Sequence, residues 1–355
     1  MGKRIITNKH GLPDTLVRAV SYDTHRVVGT ISVTTLIDAP KIRYLKQLHD
    51  YEVDVSELLY ALMGTALHNI LERANMDTER ERAMLLTADT LMQHAEVVKH
   101  TAPEDYVTRT KKAADYIIKM AEIIFPPQER RYLYEQTLTL KLGEDHLLSG
   151  TFDLYDKEFK MLQDYKFCSV YNWIFPEARR KWIEQLNIYA YMLKKVKSIQ
   201  VEKIRVIAFF RDWSEMKLKS NKDYPARQTM EIDIPMMDEE DVHNLIMEHI
   251  SRHRMADEGN PPPCNGKERW ATSSEYAVMM KGRAAALKIY TSQIEAEGYI
   301  AENKHKYDGL FIQMRPGVSK RCSKYCVVRD HCDQYRQELN QKDKVNITEP
   351  TILPR

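Results

Sequence analysis

The sequence contains no long apolar run. No stretch approaches the roughly 20 residues needed for a bilayer-spanning helix, and the start MGKRIITNKHG lacks the apolar segment of a signal peptide. A membrane-embedded or secreted protein is therefore not expected. The expected compartment is the cytoplasm. It also lacks charge of one sign: 53 Lys and Arg stand against 51 Asp and Glu, a formal net charge of +2. A polyanionic partner would have to be held by a local basic surface, because the molecule as a whole supplies no strong field. Cysteine is scarce and odd in number, five in all (Cys168, Cys264, Cys322, Cys326, Cys332). In a cytosolic protein this argues against a disulfide framework. There is no internal repeat, low-complexity tract or Walker A sequence, so solenoids are excluded and any use of ATP would need a partner. Aromatic residues, at 9%, are not enriched, and Trp270 and Tyr276 are expected to pack in the core. With 43% hydrophobic and 29% charged residues over 355 positions, the chain has the composition of an ordinary folded protein with ample core.

What is present is ordered periodicity. Residues 1–50 read as an extension with one or two strands or turns, including an extended run from Val27 to Leu36. From Val55 the apolar positions Leu58, Leu59, Leu62, Leu67, Ile70 and Leu71 recur at helical spacing, while Gly64, His68 and Glu72 stack on the polar face. Residues 78–123 read as helical with a break at Pro103, and Pro126-Pro127 closes this section. Arg131–Leu142, Leu147–Tyr155 and Met161–Cys168 then alternate as a β-meander. Pro176–Val196 is an amphipathic helix with Trp182, Leu186, Tyr189 and Leu193 along one stripe, and Ile204–Trp213 is a buried-type strand. Three strands, a helix and a strand describe an α/β core whose last strand enters by a crossover. Beyond it we expect a loop over 214–227, a strand over 231–234, and helices over 237–256 and 275–304. The expected organisation is an N-terminal extension and helical section (1–125), a core (126–215) and a C-terminal helical region with a cysteine cluster (216–355).

The most informative stretch is Ser149–Ser169. It sets Asp153 on one strand and Asp164 and Lys166 on the next, with the charged turn Asp156, Lys157, Glu158 between. Positions 164 and 166 share a face because strand side chains alternate, so a carboxylate and an ammonium emerge side by side, facing the strand of Asp153. That arrangement could hold a divalent cation with a fixed positive charge beside it. Each residue also has an ordinary reading: Asp164 and Lys166 as a solvated ion pair, His68 as a satisfied helix histidine, Gln185 and Tyr189 as helix-surface residues.

Taken together, GTALH with His68, SGTFD with Asp153, QDYK with Asp164 and Lys166, and QLNIY with Gln185 and Tyr189 resemble, in order, the motifs of RecB-like nucleases of the PD-(D/E)XK superfamily, of phage or bacterial type. The resemblance covers about residues 60–215. It implies a restriction-endonuclease-like α/β core, a mixed central sheet flanked by helices, and metal-dependent cleavage of DNA. Under it, His68, Asp153, Asp164 and the backbone carbonyl of Tyr165 hold Mg²⁺ or Mn²⁺, whose hard-cation chemistry suits oxygen donors. Lys166, with Asp153 and Asp164, is catalytic: it positions or helps deprotonate a water and offsets developing negative charge. Gln185 and Tyr189 position DNA, and Glu135 is a possible accessory ligand. The expected activity is that of an exonuclease acting on DNA ends or single strands in recombination, repair or replication, with a possible helicase or recombination partner. The alternatives are a structure-specific endonuclease and a catalytically silent DNA-binding subunit.

The remaining cysteines give a second pattern. Cys264, Cys322, Cys326 and Cys332 supply four thiolates, enough for a [4Fe–4S] cluster or a tetrahedral zinc. The C-terminal group resembles that of AddB-like nucleases and CRISPR-adaptation exonucleases, which implies iron–sulfur. It departs in having its first cysteine after the nuclease motifs and in the three-residue spacer between Cys322 and Cys326. Zinc is the alternative, with His331 or His305 as substitute ligands, and Cys168 reads as a small core residue. Arg179, Arg180, Lys181, Lys194, Lys195 and Lys197 could line a DNA channel or form a solvated helix face.

Overall fold

A computed structural model describes residues 2–21, 31–74, 79–99, 101–125, 131–142 and 146–347. The expected extended run from Val27 falls partly outside these residues, as do Pro126-Pro127 and the last eight residues of the tail. In chain order the elements are β1 (Arg4–Thr7), α1 (Asp14–Ser21), β2 (Ile31–Ser32), α2 (Val33–Leu36), α3 (Pro40–Leu48), β3 (Tyr51–Asp54) and α4 (Val55–Ala74). There follow α5 (Glu79–Val98), α6 (Glu104–Ile124), β4 (Tyr132–Leu142), β5 (His146–Asp156), β6 (Met161–Cys168), α7 (Tyr171–Ile174), α8 (Arg180–Lys197), β7 (Lys203–Phe210), α9 (Glu215–Ser220) and β8 (Thr229–Ile234). The chain ends with α10 (Glu239–Asp257), β9 (Glu275–Met280), β10 (Lys288–Tyr290), α11 (Gln293–Asn303), β11 (Leu310–Arg315), α12 (Lys320–Lys324) and α13 (Asp333–Ile347). Among the described residues no helix is long and apolar enough to cross a membrane.

The chain forms two compact units, each built from discontinuous segments. The larger comprises residues 8–37 and 55–248 and is organised on a mixed six-stranded sheet. Strands β2, β5, β6, β7 and β8 run in that order, with β4 pairing β5 from outside the path. The meander forms as the alternation predicts. At its second turn the buried Asp156 accepts backbone hydrogen bonds from Glu158 (2.9 Å) and Phe159 (3.3 Å), and two side-chain bonds from Arg131 Nε plus one from Nη2. Strands β6 and β7 are parallel, so α8 must cross over between them, burying Leu186, Tyr189, Ala190 and Leu193 at helical spacing. Helices α5 and α6 pack on each other, with the buried alanines Ala88 and Ala95, and Ala114 and Ala121, seven residues apart on each. Small side chains at that spacing let two helices approach closely.

The smaller unit comprises residues 1–7, 38–54 and 249–355. It contains the parallel pair β1–β3 and a three-stranded antiparallel sheet in the order β10-β9-β11. This sheet corrects the helix expected over 275–304, of which only α11 forms. The run Tyr276–Met280 is short, and five apolar residues in a row suit a buried strand as well as a helix. Two glycines in left-handed conformation, Gly282 (φ +82°) and Gly309 (φ +67°), let the backbone turn after β9 and before β11. Within residues 214–227, expected to be a loop, Glu215–Ser220 is helical.

Candidate active site

The larger unit's sheet is interrupted where the acidic residues lie. Strand β5 pairs with β4 along nearly its whole length. On its other edge it meets β2 only at Leu148 and Ser149 and β6 only from Leu154 to Asp156. Strand β6 stays paired with β7 over all of Met161–Cys168. Strands β5 and β6 therefore part just beyond the Leu154–Gln163 pair, and Asp153 and Asp164 are the next residues on either side of the opening. The Asp153 carboxylate occupies it, accepting the Tyr165 backbone N–H at 2.7 Å that the ladder would otherwise use. The neighbouring ladder is also broken: pairing of β4 with β5 skips Glu135, whose φ of +44° is unusual for a residue with a side chain. Backbone in such a region costs about 1–3 kcal/mol and persists where its surroundings impose it.

Helix α4, packed against β6, brings His68 to this opening. Its Nδ1 lies 3.4 Å from Asp153 Oδ2 and 3.7 Å from Glu135 Oε1. Among the described residues, His68, Glu135 and Asp153 form the one set of three potential metal ligands with donor atoms all within 4.8 Å of one another. Asp164 and Lys166 emerge side by side as alternation requires, with Lys166 Nζ 2.7 Å from Asp164 Oδ2. Asp164 is 2% exposed, and this oxygen accepts no hydrogen bond of good geometry despite the short ion-pair distance. Lys166 Nζ also donates to Gln185 Oε1 at 3.3 Å, and Gln185 Nε2 donates to the Tyr189 hydroxyl at 3.2 Å. A continuous chain thus runs Asp164–Lys166–Gln185–Tyr189, while Glu135, named from sequence only as an accessory, sits in the tight group with His68 and Asp153.

The electrostatics follow from burial and sign. Hydrogen bonding to Asp153, then to Glu135, raises His68 from 6.5 to about 10, so in the metal-free protein an imidazolium holds the two carboxylates together. Burial raises Asp164 to about 6, opposed by the Lys166 charge. Burial would lower Lys166, but the Asp164 and Asp153 carboxylates outweigh it and its pKa is raised, so the side chain is a fixed cation. Glu72, one turn beyond His68 on α4, is raised by burial and by the nearby charge of Glu135.

Two measurable consequences arise here. A folded pKa raised above its unfolded value means that His68 protonation stabilises the fold fully below pH 6.5, and that this contribution is lost as pH rises towards about 10. In a chelating buffer the unfolding midpoint should fall across that window, and His68→Asn should flatten the slope. The second concerns Gly150 on β5. A Cβ there would lie 2.5 Å from Tyr189 Cε1 and 2.9 Å from Val33 Cγ2, both inside contact distance. Gly150→Ala must displace the tyrosine that orients Gln185. A loss of about 1–3 kcal/mol in denaturant unfolding is expected.

The basic residues of and around α8 are largely engaged with partners. Arg180 pairs with Glu184, Lys194 and Lys195 both pair with Glu239, and Lys197 donates to Gln136 Oε1. Three of these four cations are thus in ion pairs, and Lys197 bonds a neutral amide oxygen.

In the smaller unit, Cys264, Cys322, Cys326 and Cys332 line one cavity together with Lys41, Arg321 and apolar residues including Val328. Ile42, Leu45, Val328 and Cys332 share a buried cluster, against which Cys264 and Cys326 pack. Cys264 is pinned by its backbone N–H to Gln334 Oε1 (2.9 Å) and its carbonyl from Gln334 Nε2 (2.8 Å). None of the four is in a disulfide, and no three of their sulfurs fall within 4.8 Å of one another. Burial raises Cys264 to about 12 and Cys322 to about 11. His305 and His331 are not among the cavity's lining residues; His331 instead stacks on His49 with ring centroids 4.2 Å apart. Cys168 is buried in β6, where desolvation raises it to about 12. Trp270, expected in the core, is 47% exposed and lies against Tyr325.

No family model and no curated protein matches the chain. Among solved structures it is similar to SSO0001, at 16% identity and a TM-score of 0.33, over 67% of this chain and 82% of that one. It is also similar to a phage-related exonuclease from Haemophilus somnus 129PT, at 14% identity and a TM-score of 0.23, over 51% of this chain and 86% of that one. Neither TM-score reaches the level that establishes a shared fold.

Proposed function

We propose that the chain is a metal-dependent deoxyribonuclease of RecB-like type, acting as an exonuclease on DNA ends or single strands. One observation carries this reading: an imidazole and two carboxylates converge within 4.8 Å beside a buried carboxylate–ammonium pair, where two strands part. The residues fit a divalent cation. The Asp153 and Glu135 carboxylates whose hydrogen bonds raise His68 to about 10 are also cation ligands, and entry of a metal would displace that proton. Carboxylate oxygens with one imidazole suit Mg²⁺ or, better, Mn²⁺. His68, Asp153 and Glu135 would hold the ion with Asp164 and the Tyr165 carbonyl. Such an ion supplies Lewis-acid charge and a more acidic water.

The chain's own residues do the rest. Lys166, a cation flanked by Gln185, places positive charge where a phosphodiester gains negative charge during attack. The Asp164 and Asp153 carboxylates raise its pKa, which favours the charged form. Gln185 and Tyr189 hold Lys166 in place, and Asp164 neutralises it between turnovers.

For the four cysteines we propose a [4Fe–4S] cluster with a structural role. Zinc bonded to sulfur at about 2.3 Å would draw four thiolates to within about 3.8 Å of one another. Four cysteines lining one cavity supply the ligand set a [4Fe–4S] cube needs, with zinc as the alternative.

The nuclease reading is tested by a time course with Mg²⁺ or Mn²⁺ on 5′-labelled, 3′-labelled and circular DNA. Digestion of the linear forms with the circle spared supports an exonuclease. Cutting of the circle would make the enzyme an endonuclease. No product from any substrate would remove the assignment.

A further inference from the structure

The strand that carries Asp164 and Lys166 leads directly into a rigid, exposed aromatic pair. Strand β6 ends at Cys168, and Ser169 turns the chain into α7. That turn is fixed to the end of β7. Asp212 Oδ2 accepts from Ser169 Oγ at 2.6 Å, Asp212 Oδ1 accepts from the Val170 N–H at 2.8 Å, and the Arg211 N–H donates to the Cys168 carbonyl at 2.9 Å. Trp173 sits edge-on to Phe210, with centroids 6.3 Å apart, and ties α7 to the end of β7. On this fixed base the rings of Tyr171 and Phe175 lie 4.5 Å apart, inclined by 31°, and remain 57% and 45% exposed.

A second exposed ring lies on the helix that carries His68. Tyr60, 55% exposed, has the Arg211 guanidinium 4.1 Å from its ring centroid. It lies eight residues before His68, about 12 Å along the helix at 1.5 Å per residue. Both elements that deliver the candidate site's residues, β6 and α4, thus also lead to exposed aromatic surface, and Arg211 touches both: its backbone N–H holds the Cys168 carbonyl before α7 and its guanidinium lies on Tyr60.

We propose that Tyr171 and Phe175, with Tyr60 and Arg211, form a stacking platform for the unpaired bases of a single-stranded DNA end entering the candidate active site. This proposal rests on the nuclease reading and names the substrate form of that site. Flat rings accept any base, because every base has a π-face, and an arginine beside them takes a phosphate or stacks in turn. Paired bases inside a duplex already stack on their neighbours and have no face to offer. The platform therefore selects for unpaired ends. The anchored turn matters because a preordered ring loses little entropy when a base stacks on it.

The test uses the full-length protein with Ca²⁺ in place of Mg²⁺, titrating a fluorescent single-stranded oligonucleotide carrying 2-aminopurine, and separately a blunt duplex. Tyr171→Ala/Phe175→Ala should weaken single-strand binding at least about tenfold and abolish 2-aminopurine quenching, with duplex binding changed less than about twofold. Tyr171→Phe/Phe175→Tyr, which keeps both rings, should bind like wild type. With Mg²⁺ the alanine variant should raise KM for single strands and leave kcat unchanged. Unchanged single-strand affinity, an equal loss on duplex, or no binding by wild type would overturn the platform. The two readings separate cleanly. Ring-dependent binding without any cleavage would sink the nuclease assignment alone, and cleavage with an unaltered single-strand KM would sink the platform alone.

Discussion

Lys166→Met is expected to slow phosphodiester cleavage by about 10²–10³-fold or more, the effect of removing one preorganised charge from a reacting oxyanion. Because Lys166 Nζ sits 2.7 Å from a fully buried carboxylate oxygen, the substitution also has a structural cost. Removing one partner of a buried pair costs about 3–5 kcal/mol when the other stays charged. Asp164 can relieve part of this by taking a proton, since burial already raises it to about 6. The double variant Asp164→Asn/Lys166→Met separates the two effects. If the pair is only an ion pair bracing the sheet, the double variant should recover both stability and activity. In the present account it recovers stability and stays inactive. Asp153→Asn is the complementary probe, because the amide oxygen can still accept the Tyr165 N–H while the charge is lost. It should fold normally, fail to bind Mn²⁺ and fail to cleave, whereas Lys166→Met should still bind Mn²⁺.

The second large effect concerns the cysteine cavity. Under the proposed [4Fe–4S] assignment, anaerobically purified protein should be brown with broad absorbance at about 400 nm, and serine at Cys264, Cys322, Cys326 or Cys332 should remove the colour. Each should also lower the unfolding midpoint sharply. Metal bound by such thiolate sets contributes on the order of 10 kcal/mol of folding free energy. Cys168→Ser should keep the colour, because that thiol is buried in β6. The cavity packs against Ile42, Leu45 and Val328, so loss of the cluster would loosen the core of the smaller unit. Colourless protein carrying stoichiometric zinc would overturn the iron assignment and leave the thiolate site standing.

Much of this was legible in the sequence because it depends on short-range geometry. The period-2 pattern of Met161–Cys168 sets Asp164 beside Lys166, and the four-residue spacing of Gln185 and Tyr189 sets up their hydrogen bond. What was not legible depends on pairings distant in sequence or on backbone conformation. Glu135, implied by the resemblance only as a possible accessory ligand, lies with His68 and Asp153 where its φ of +44° interrupts the pairing of β4 with β5, a local distortion without a compositional signal. The opening beside β5 lies between its pairing with β6 and its pairing with residues 31–32, which are more than 100 positions away in sequence. The apolar run at Tyr276–Met280 fits two secondary structures, and its partners Leu310–Arg315 and Lys288–Tyr290 decide for the sheet. For the basic residues of α8 the sequence left a channel and a solvated face open, because Glu239, which pairs with Lys194 and Lys195, is more than 40 positions away.

The central claim, that His68, Glu135, Asp153, Asp164 and Lys166 form a metal-dependent DNA-cleaving site, is tested most directly by one comparison. Wild type and Asp153→Asn, purified identically and matched in unfolding midpoint, are incubated with end-labelled DNA in Mn²⁺ and in chelator. The account predicts degradation by wild type in Mn²⁺ alone and none by the variant. Equal degradation by both proteins, or degradation that persists in chelator, would contradict it.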